Sequence, residues 1–130
     1  MKTHMIVSIS KELLQGILEG AKLLYPRETI LLLRGKKKKD LIDIFELVVP
    51  PLATYGKGFA NIPLHMLPID FSLVGTVHSH PSGNLTPSRA DLNHFLGSIL
   101  MIVGFPFVDD RNVAVYNRNG ENLTLKVTKV

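Results

Sequence analysis

One stretch, His78-Ser79-His80-Pro81-Ser82-Gly83-Asn84-Leu85-Thr86-Pro87-Ser88-Arg89-Ala90-Asp91, restricts what this chain can fold into more than any other. It opens at the end of an apolar run, Leu73-Val74-Gly75-Thr76-Val77, that reads as a strand. Side chains two apart on a strand share a face, so His78 and His80 point the same way and their imidazoles can converge on one ion. Pro81 stops the ladder, and Ser82-Gly83-Asn84 turns the chain. Asp91 then falls in the first turn of the helix that follows. Strand end, turn and helix start are thereby brought to one place. Two histidines and a carboxylate form a nitrogen and oxygen donor set, which suits a hydrolytic zinc that keeps one position open.

Each half of the stretch also has a plainer reading. His-x-His in a strand is more often two half-buried histidines than a chelate. Ser88-x-x-Asp91 ahead of Leu92, Phe95 and Leu96 is equally a helix-capping box, and Thr86-Pro87 fits an N-cap followed by proline at the first helical position. Together, with seven residues between His80 and Ser88 and two between Ser88 and Asp91, they resemble the JAMM (MPN-plus) metalloproteases. That family carries a glutamate well upstream, on a strand after the first helix. Glu28, in Pro26-Arg27-Glu28-Thr29-Ile30-Leu31, stands where it is expected.

The resemblance runs from Ser10 to the C-terminal hairpin and is nearest to small single-domain archaeal and bacterial members. It implies a cytidine-deaminase-like α/β (α+β) domain over residues 1–130, with a mixed, mainly antiparallel sheet and two helices. It also implies one zinc per chain, held by His78, His80 and Asp91, with water in the fourth position. Glu28 would be the general base and Ser88 would stabilise the oxyanion. The implied activity is that of a deubiquitinase-like isopeptidase, cutting after the C-terminal glycines of ubiquitin or ubiquitin-like (archaeal small modifier) proteins, which would be the partners. Chain-specific members carry extra segments that grip two linked ubiquitins. Here there is only the short stretch Leu52 to Asn61 and no long insertion after the metal helix, so a broad or small-modifier specificity is expected.

Other classes are weighed on the same residues. A non-catalytic MPN scaffold typically lacks part of the ligand set, which is complete here. A RadC-like, DNA-repair-associated protein shares the His-x-His-Pro-Ser-Gly…Thr-Pro-Ser…Asp segment, but Pro-x-Glu and the compact C-terminal hairpin favour the protease branch. Non-haem iron oxygenases usually space their first ligand pair as His-x-Asp/Glu. Zinc deaminases need a Cys-x-x-Cys, and the chain has no cysteine. That also excludes disulfides and a cysteine nucleophile. Much of the net charge of +4 comes from Lys36-Lys37-Lys38-Lys39, which reads as a solvated hairpin tip and not as a nucleic-acid stripe. No apolar run approaches the ~20 residues of a membrane span and no signal peptide is evident, so a soluble cytoplasmic protein is the expectation. Oligomeric state is not legible.

The remaining elements follow from periodicity. Met5 to Ile9 reads as a strand. Ser10 caps a helix with apolar Leu13, Leu14, Ile17, Leu18, Ala21 and Leu24, stopped by Pro26 near Tyr25. Thr29 to Leu33 and Leu41 to Val49 are strands. Both faces of the latter are mostly apolar, so helices are expected on both sides. Leu52 to Asn61, with Gly56 and Gly58, reads as a mobile loop, and Ile62 to Leu67 as a short strand whose edge could take an extended substrate tail. A helix is expected from about Ser88 to Leu96, ended by Gly97. Then come a buried strand, Ile99 to Val103, and a hairpin of Asn112 to Asn117 with Asn122 to Val130, turned by Asn119-Gly120. Of the other histidines, His94 lies three residues past Asp91, within reach of the ion but expected at an exposed helix position, while His65 sits in an apolar edge segment and His4 in the tail.

Overall fold

The structure is a computed structural model, and it describes residues 5–50, 54–56, 59–61, 72–93 and 95–129. Strand β1 (Ile6–Ser10) runs directly into helix α1 (Lys11–Leu24). Ser10 is extended, and its Oγ accepts the Leu13 amide at 3.1 Å, satisfying one of the free N–H groups of the first turn. Pro26 follows Tyr25, whose amide closes the last turn on the Lys22 carbonyl. Leu14, Ile17, Leu18 and Ala21 form the buried stripe of α1 and join the strand residues Val7, Ile9, Ile42 and Val103 in one core. Burying each of its leucines and isoleucines is worth roughly 1.5–3 kcal/mol.

Among the described residues seven strands form the sheet around this core: β1, β2 (Ile30–Lys37), β3 (Leu41–Val48), β6 (Leu73–His80), β7 (Ile99–Gly104), β8 (Val113–Tyr116) and β9 (Asn122–Thr128). Between β3 and β6, the short strands β4 (Thr54–Gly56) and β5 (Phe59–Asn61) pair with each other. The main order is β1-β3-β2-β6-β7-β8-β9, and β9 pairs back onto β1, so the sheet closes. The seams β2–β3, β2–β6, β7–β8 and β8–β9 are antiparallel, while β1–β3, β1–β9 and β6–β7 are parallel. This is the mixed, mostly antiparallel α+β domain expected. Closure was not foreseen, because no local pattern tells Leu125 and Val127 that they will lie against Val7 and Ile9.

Several elements differ from expectation. Strand β3 buries Ile42 and Ile44, but Asp43 and Phe45 are exposed, Phe45 by 47%, so helices do not cover both of its sides. An apolar side chain on a strand is permitted, not compelled, to be inside. The stretch expected to be a mobile loop contains the β4–β5 ladder, Thr54 opposite Asn61 and Gly56 opposite Phe59. The expected strand from Ile62 to Leu67 lies outside the described residues. Helix α2 is only Arg89–Asn93, shorter than the Ser88 to Leu96 expected. Phe95 and Leu96 are used as packing residues instead: Arg118 stacks over the Phe95 ring, and Leu96 rests on Ile30 and Leu32. Gly97 then turns at φ 77°, so that Ser98 can bond the Val74 carbonyl and start β7 beside β6. The β8–β9 turn takes three residues, not two. Asn117 and Glu121 pair across it, and the Asn117 side chain accepts from Asn119 and Glu121. The lysine run is exposed as expected, with Lys36 and Lys37 still inside β2.

Candidate metal centre

The centre lies at the C-terminal end of β6. Strand alternation puts His78 and His80 on one face, and both are 8% exposed. After His80 the chain turns back on itself, the Gly83 amide bonding the His80 carbonyl with Gly83 at φ 83°. The turn is locked by its own side chains, Ser82 Oγ accepting from the Asn84 amide and Asn84 Oδ1 from the Thr86 amide. Tyr116 on β8 donates its hydroxyl hydrogen to the Leu85 carbonyl at 2.7 Å, tying the turn to the barrel. This delivers Ser88 and Asp91 above the two imidazoles.

Ser88 and Asp91 form the capping box reciprocally. The Asp91 amide donates to Ser88 Oγ at 3.0 Å, and the Ser88 amide donates to Asp91 Oδ2 at 2.8 Å. The plain reading of this pair is therefore correct, and it coexists with the site. The same carboxylate reaches both histidines, Oδ1 lying 3.2 Å from His78 Nδ1 and Oδ2 3.2 Å from His80 Nε2. On its far side, His80 Nδ1 stands 2.8 Å from the Asn84 carbonyl. A carbonyl only accepts, so Nδ1 carries the hydrogen and Nε2 of the neutral ring keeps its lone pair for the centre. That orienting contact was not foreseen from the sequence, because backbone carbonyls leave no residue-type signal.

Glu28 immediately precedes Thr29, whose carbonyl accepts the Ser79 amide beyond the last ladder pair of β2 and β6, Ile30 opposite His78. It is only partly buried and lies within electrostatic reach of His80, Asp91 and His78. Burial pushes its carboxyl above the ordinary value. The two imidazoles pull the other way and Asp91 adds to the rise. Burial also opposes ionisation of Asp91, yet hydrogen bonds from the His78 ring, from His80 when its Nε2 is also protonated, and from the Ser88 amide hold it far below the usual carboxylate range. For His80, burial disfavours the charged ring, but Asp91 and the Asn84 carbonyl outweigh it and raise its pKa.

All five residues singled out from the sequence thus come together. His94, His65 and His4 lie outside the described residues. Among the described residues no three His, Asp or Glu side chains already surround a common centre, since each Asp91 oxygen faces a different imidazole. The donors fit zinc nevertheless. They are two imidazoles and a carboxylate without thiolate, the donor types of a hydrolytic zinc, with each imidazole 3.2 Å from one oxygen of Asp91.

Known proteins share this architecture. Residues 10–117 match the family of prokaryotic homologs of the JAB domain. A probable metalloprotease of Haloferax volcanii is 30% identical over 97% of this chain and 82% of its own length. Among solved structures, a JAB1/MPN domain protein from Archaeoglobus fulgidus is 40% identical, with a TM-score of 0.68 over 93% of this chain and 98% of that one. Another, studied as JAMM, a metalloprotease-like zinc site in the proteasome and signalosome, is 35% identical with a TM-score of 0.67, covering 95% and 98%. With the sequence match spanning most of its length and the fold agreeing over nearly all of it, the chain belongs to the prokaryotic JAB (JAMM/MPN) metalloprotease family.

Proposed function

We infer that this protein is a zinc-dependent isopeptidase that cuts after the C-terminal glycines of ubiquitin-like modifiers. The observation that carries the reading is the Asp91 carboxylate, fixed by the Ser88 amide, set against His78 and His80 with Glu28 beside them. His78, His80 and Asp91 would hold one zinc per chain. When bound, zinc supplies the positive charge that makes water acidic near neutral pH and polarises a carbonyl.

The chain's own residues do the rest. Glu28, its carboxyl pushed up by burial, takes the proton from the attacking water and returns it to the leaving amine. Ser88 Oγ uses a lone pair to accept the Asp91 amide, which leaves its own hydrogen for the developing oxyanion. Capping and oxyanion stabilisation therefore use different parts of one hydroxyl. Asn84 keeps the His80 ring oriented. The Gly-Gly tail suits this centre because a backbone without side chains can approach closely. The short stretch Leu52 to Asn61, with no long insertion after the metal helix, supports a small-modifier specificity.

The test is metal analysis of the purified protein together with cleavage of a Gly-Gly modifier fused through a peptide or lysine isopeptide bond. About one zinc per chain and cleavage after the second glycine are expected, both lost in His80→Ala. Full zinc occupancy in that variant would remove β6 from the metal site, and a zinc-loaded protein that leaves every such fusion intact would overturn the substrate class.

A further inference from the structure

The residue between the two histidines faces away from them. Ser79 is 1% exposed and lies on the opposite face of β6, where its side chain can take no part in metal binding. It is bound instead to Thr29. The Ser79 amide donates to the Thr29 carbonyl at 3.0 Å, as in an antiparallel ladder. A regular ladder would return the Thr29 amide to the Ser79 carbonyl. Here that amide donates to Ser79 Oγ at 2.8 Å, and the Thr29 hydroxyl donates to the same oxygen at 3.0 Å. One side-chain oxygen thus replaces the last ladder bond and accepts twice.

The geometry points to Ser79 as the positioning residue for Glu28. With both Thr29 groups held on the back of the sheet, alternation turns Glu28 to the front, beside His78 and His80. Since β2 begins only at Ile30, no ladder bond fixes Glu28 itself. The Ser79–Thr29 clasp is what holds its backbone against the sheet. The metal ligands and the proton carrier are thereby locked to each other through one residue, at fixed spacing. This rests on the reading of Glu28 as the base. Its consequence is specific: loss of the Ser79 hydroxyl should impair proton transfer without impairing metal or substrate binding.

The cleft behind Ser79 supplies a matched control. It is an apolar space of about 300 Å³ lined by Ser79, Thr29, Leu31, Val77, Val103 and Leu24, among others. A threonine at 79 would keep the oxygen and place its methyl group in this space, in a strand that favours β-branched residues.

The test compares zinc-loaded wild type, Ser79→Ala, Ser79→Thr and Glu28→Gln by zinc content, Thr29 amide hydrogen exchange, and kcat and KM on the modifier fusion. In Ser79→Ala, zinc and KM should stay near wild type. The Thr29 amide should exchange at least ~10-fold faster and kcat should fall ~10- to 100-fold, since a displacement of about 1 Å can cost 10²-fold. Ser79→Thr should restore both. Wild-type kcat in Ser79→Ala, with Glu28→Gln inactive, overturns the positioning role and leaves the base in place. Wild-type turnover in Glu28→Gln overturns both. If Ser79→Ala loses zinc or fails to fold, Thr29→Val decides, because it removes only one donor to the same oxygen. A severalfold lower kcat with zinc retained supports the clasp, and wild-type kcat overturns it.

Discussion

At the residue scale, Asp91 does three things with one carboxylate: it caps α2, and it faces each imidazole with a separate oxygen. Glu28 shares the same electrostatic field, but its environment drives its carboxyl up where that of Asp91 is driven down. Two carboxyls pushed apart in this way suit the different roles proposed for them, a proton carrier and a metal-holding anion. Glu28→Gln keeps the shape and removes the base, so zinc content and thermal stability should stay at wild-type values while cleavage falls by ~10²-fold or more. Loss of zinc in that variant would recast Glu28 as a ligand. Ser88→Ala should also keep zinc, with a rate lower by ~10²–10³ and a stability loss of ~0.5–2 kcal/mol from the missing cap. A stability loss with unchanged turnover would reduce Ser88 to a cap alone.

At the element scale, β6 is the strand on which everything depends, buried from Val74 to His80 and paired on both sides. Its parallel seam with β7 closes tightly at Gly75, where any Cβ would fall well inside contact distance of the Ile99 carbonyl oxygen and its side chain. Backbone cannot yield there as a flexible side-chain end could. Gly75→Ala should therefore part the two strands and cost several kcal/mol, more than the 1–3 kcal/mol typical of core overpacking. Denaturant unfolding would measure it. A stability within 1 kcal/mol of wild type would show that β6 and β7 have slack, and with it that the histidines are less firmly held.

At the scale of the whole molecule, the charges of the centre make stability depend on pH. Consider the chelated protein. Asp91 is depressed on folding, so its contribution is present above its unfolded pKa of ~3.9 and is lost as the pH falls below that. The pKa of His80 is raised on folding, so its contribution is present below ~6.5 and is lost as the pH rises through the higher folded value. Chelated protein should thus be most stable between about pH 4 and 6.5. Zinc competes with protons for the imidazoles, so its stabilising effect should grow from pH 6 to 7.5. Thermal melts with zinc and with chelator across this range check both trends. A chelated melting temperature that keeps rising to pH 8 would contradict the pairing of His80 with Asp91. Among the described residues no helix is long and apolar enough to cross a membrane.

Sequence alone determined the parts of this protein whose causes are local. The Ser10 cap, the stop at Pro26, the end of β6 at Pro81 and the capping box all act within a few residues, and each was legible. So was the proximity of His78, His80, Ser88 and Asp91, which one strand, one turn and the first turn of one short helix bring together. Tertiary structure decided what depends on pairing between distant segments. It closed β9 onto β1, shortened α2 so that Leu96 could pack on Ile30 and Leu32, and left one face of β3 to solvent. It also decided how Glu28 meets the histidines, across 50 residues of chain, through a serine hydroxyl that stands in for a ladder bond. Local sequence sets which groups are available, but free energy from long-range burial and pairing sets which of them end up adjacent.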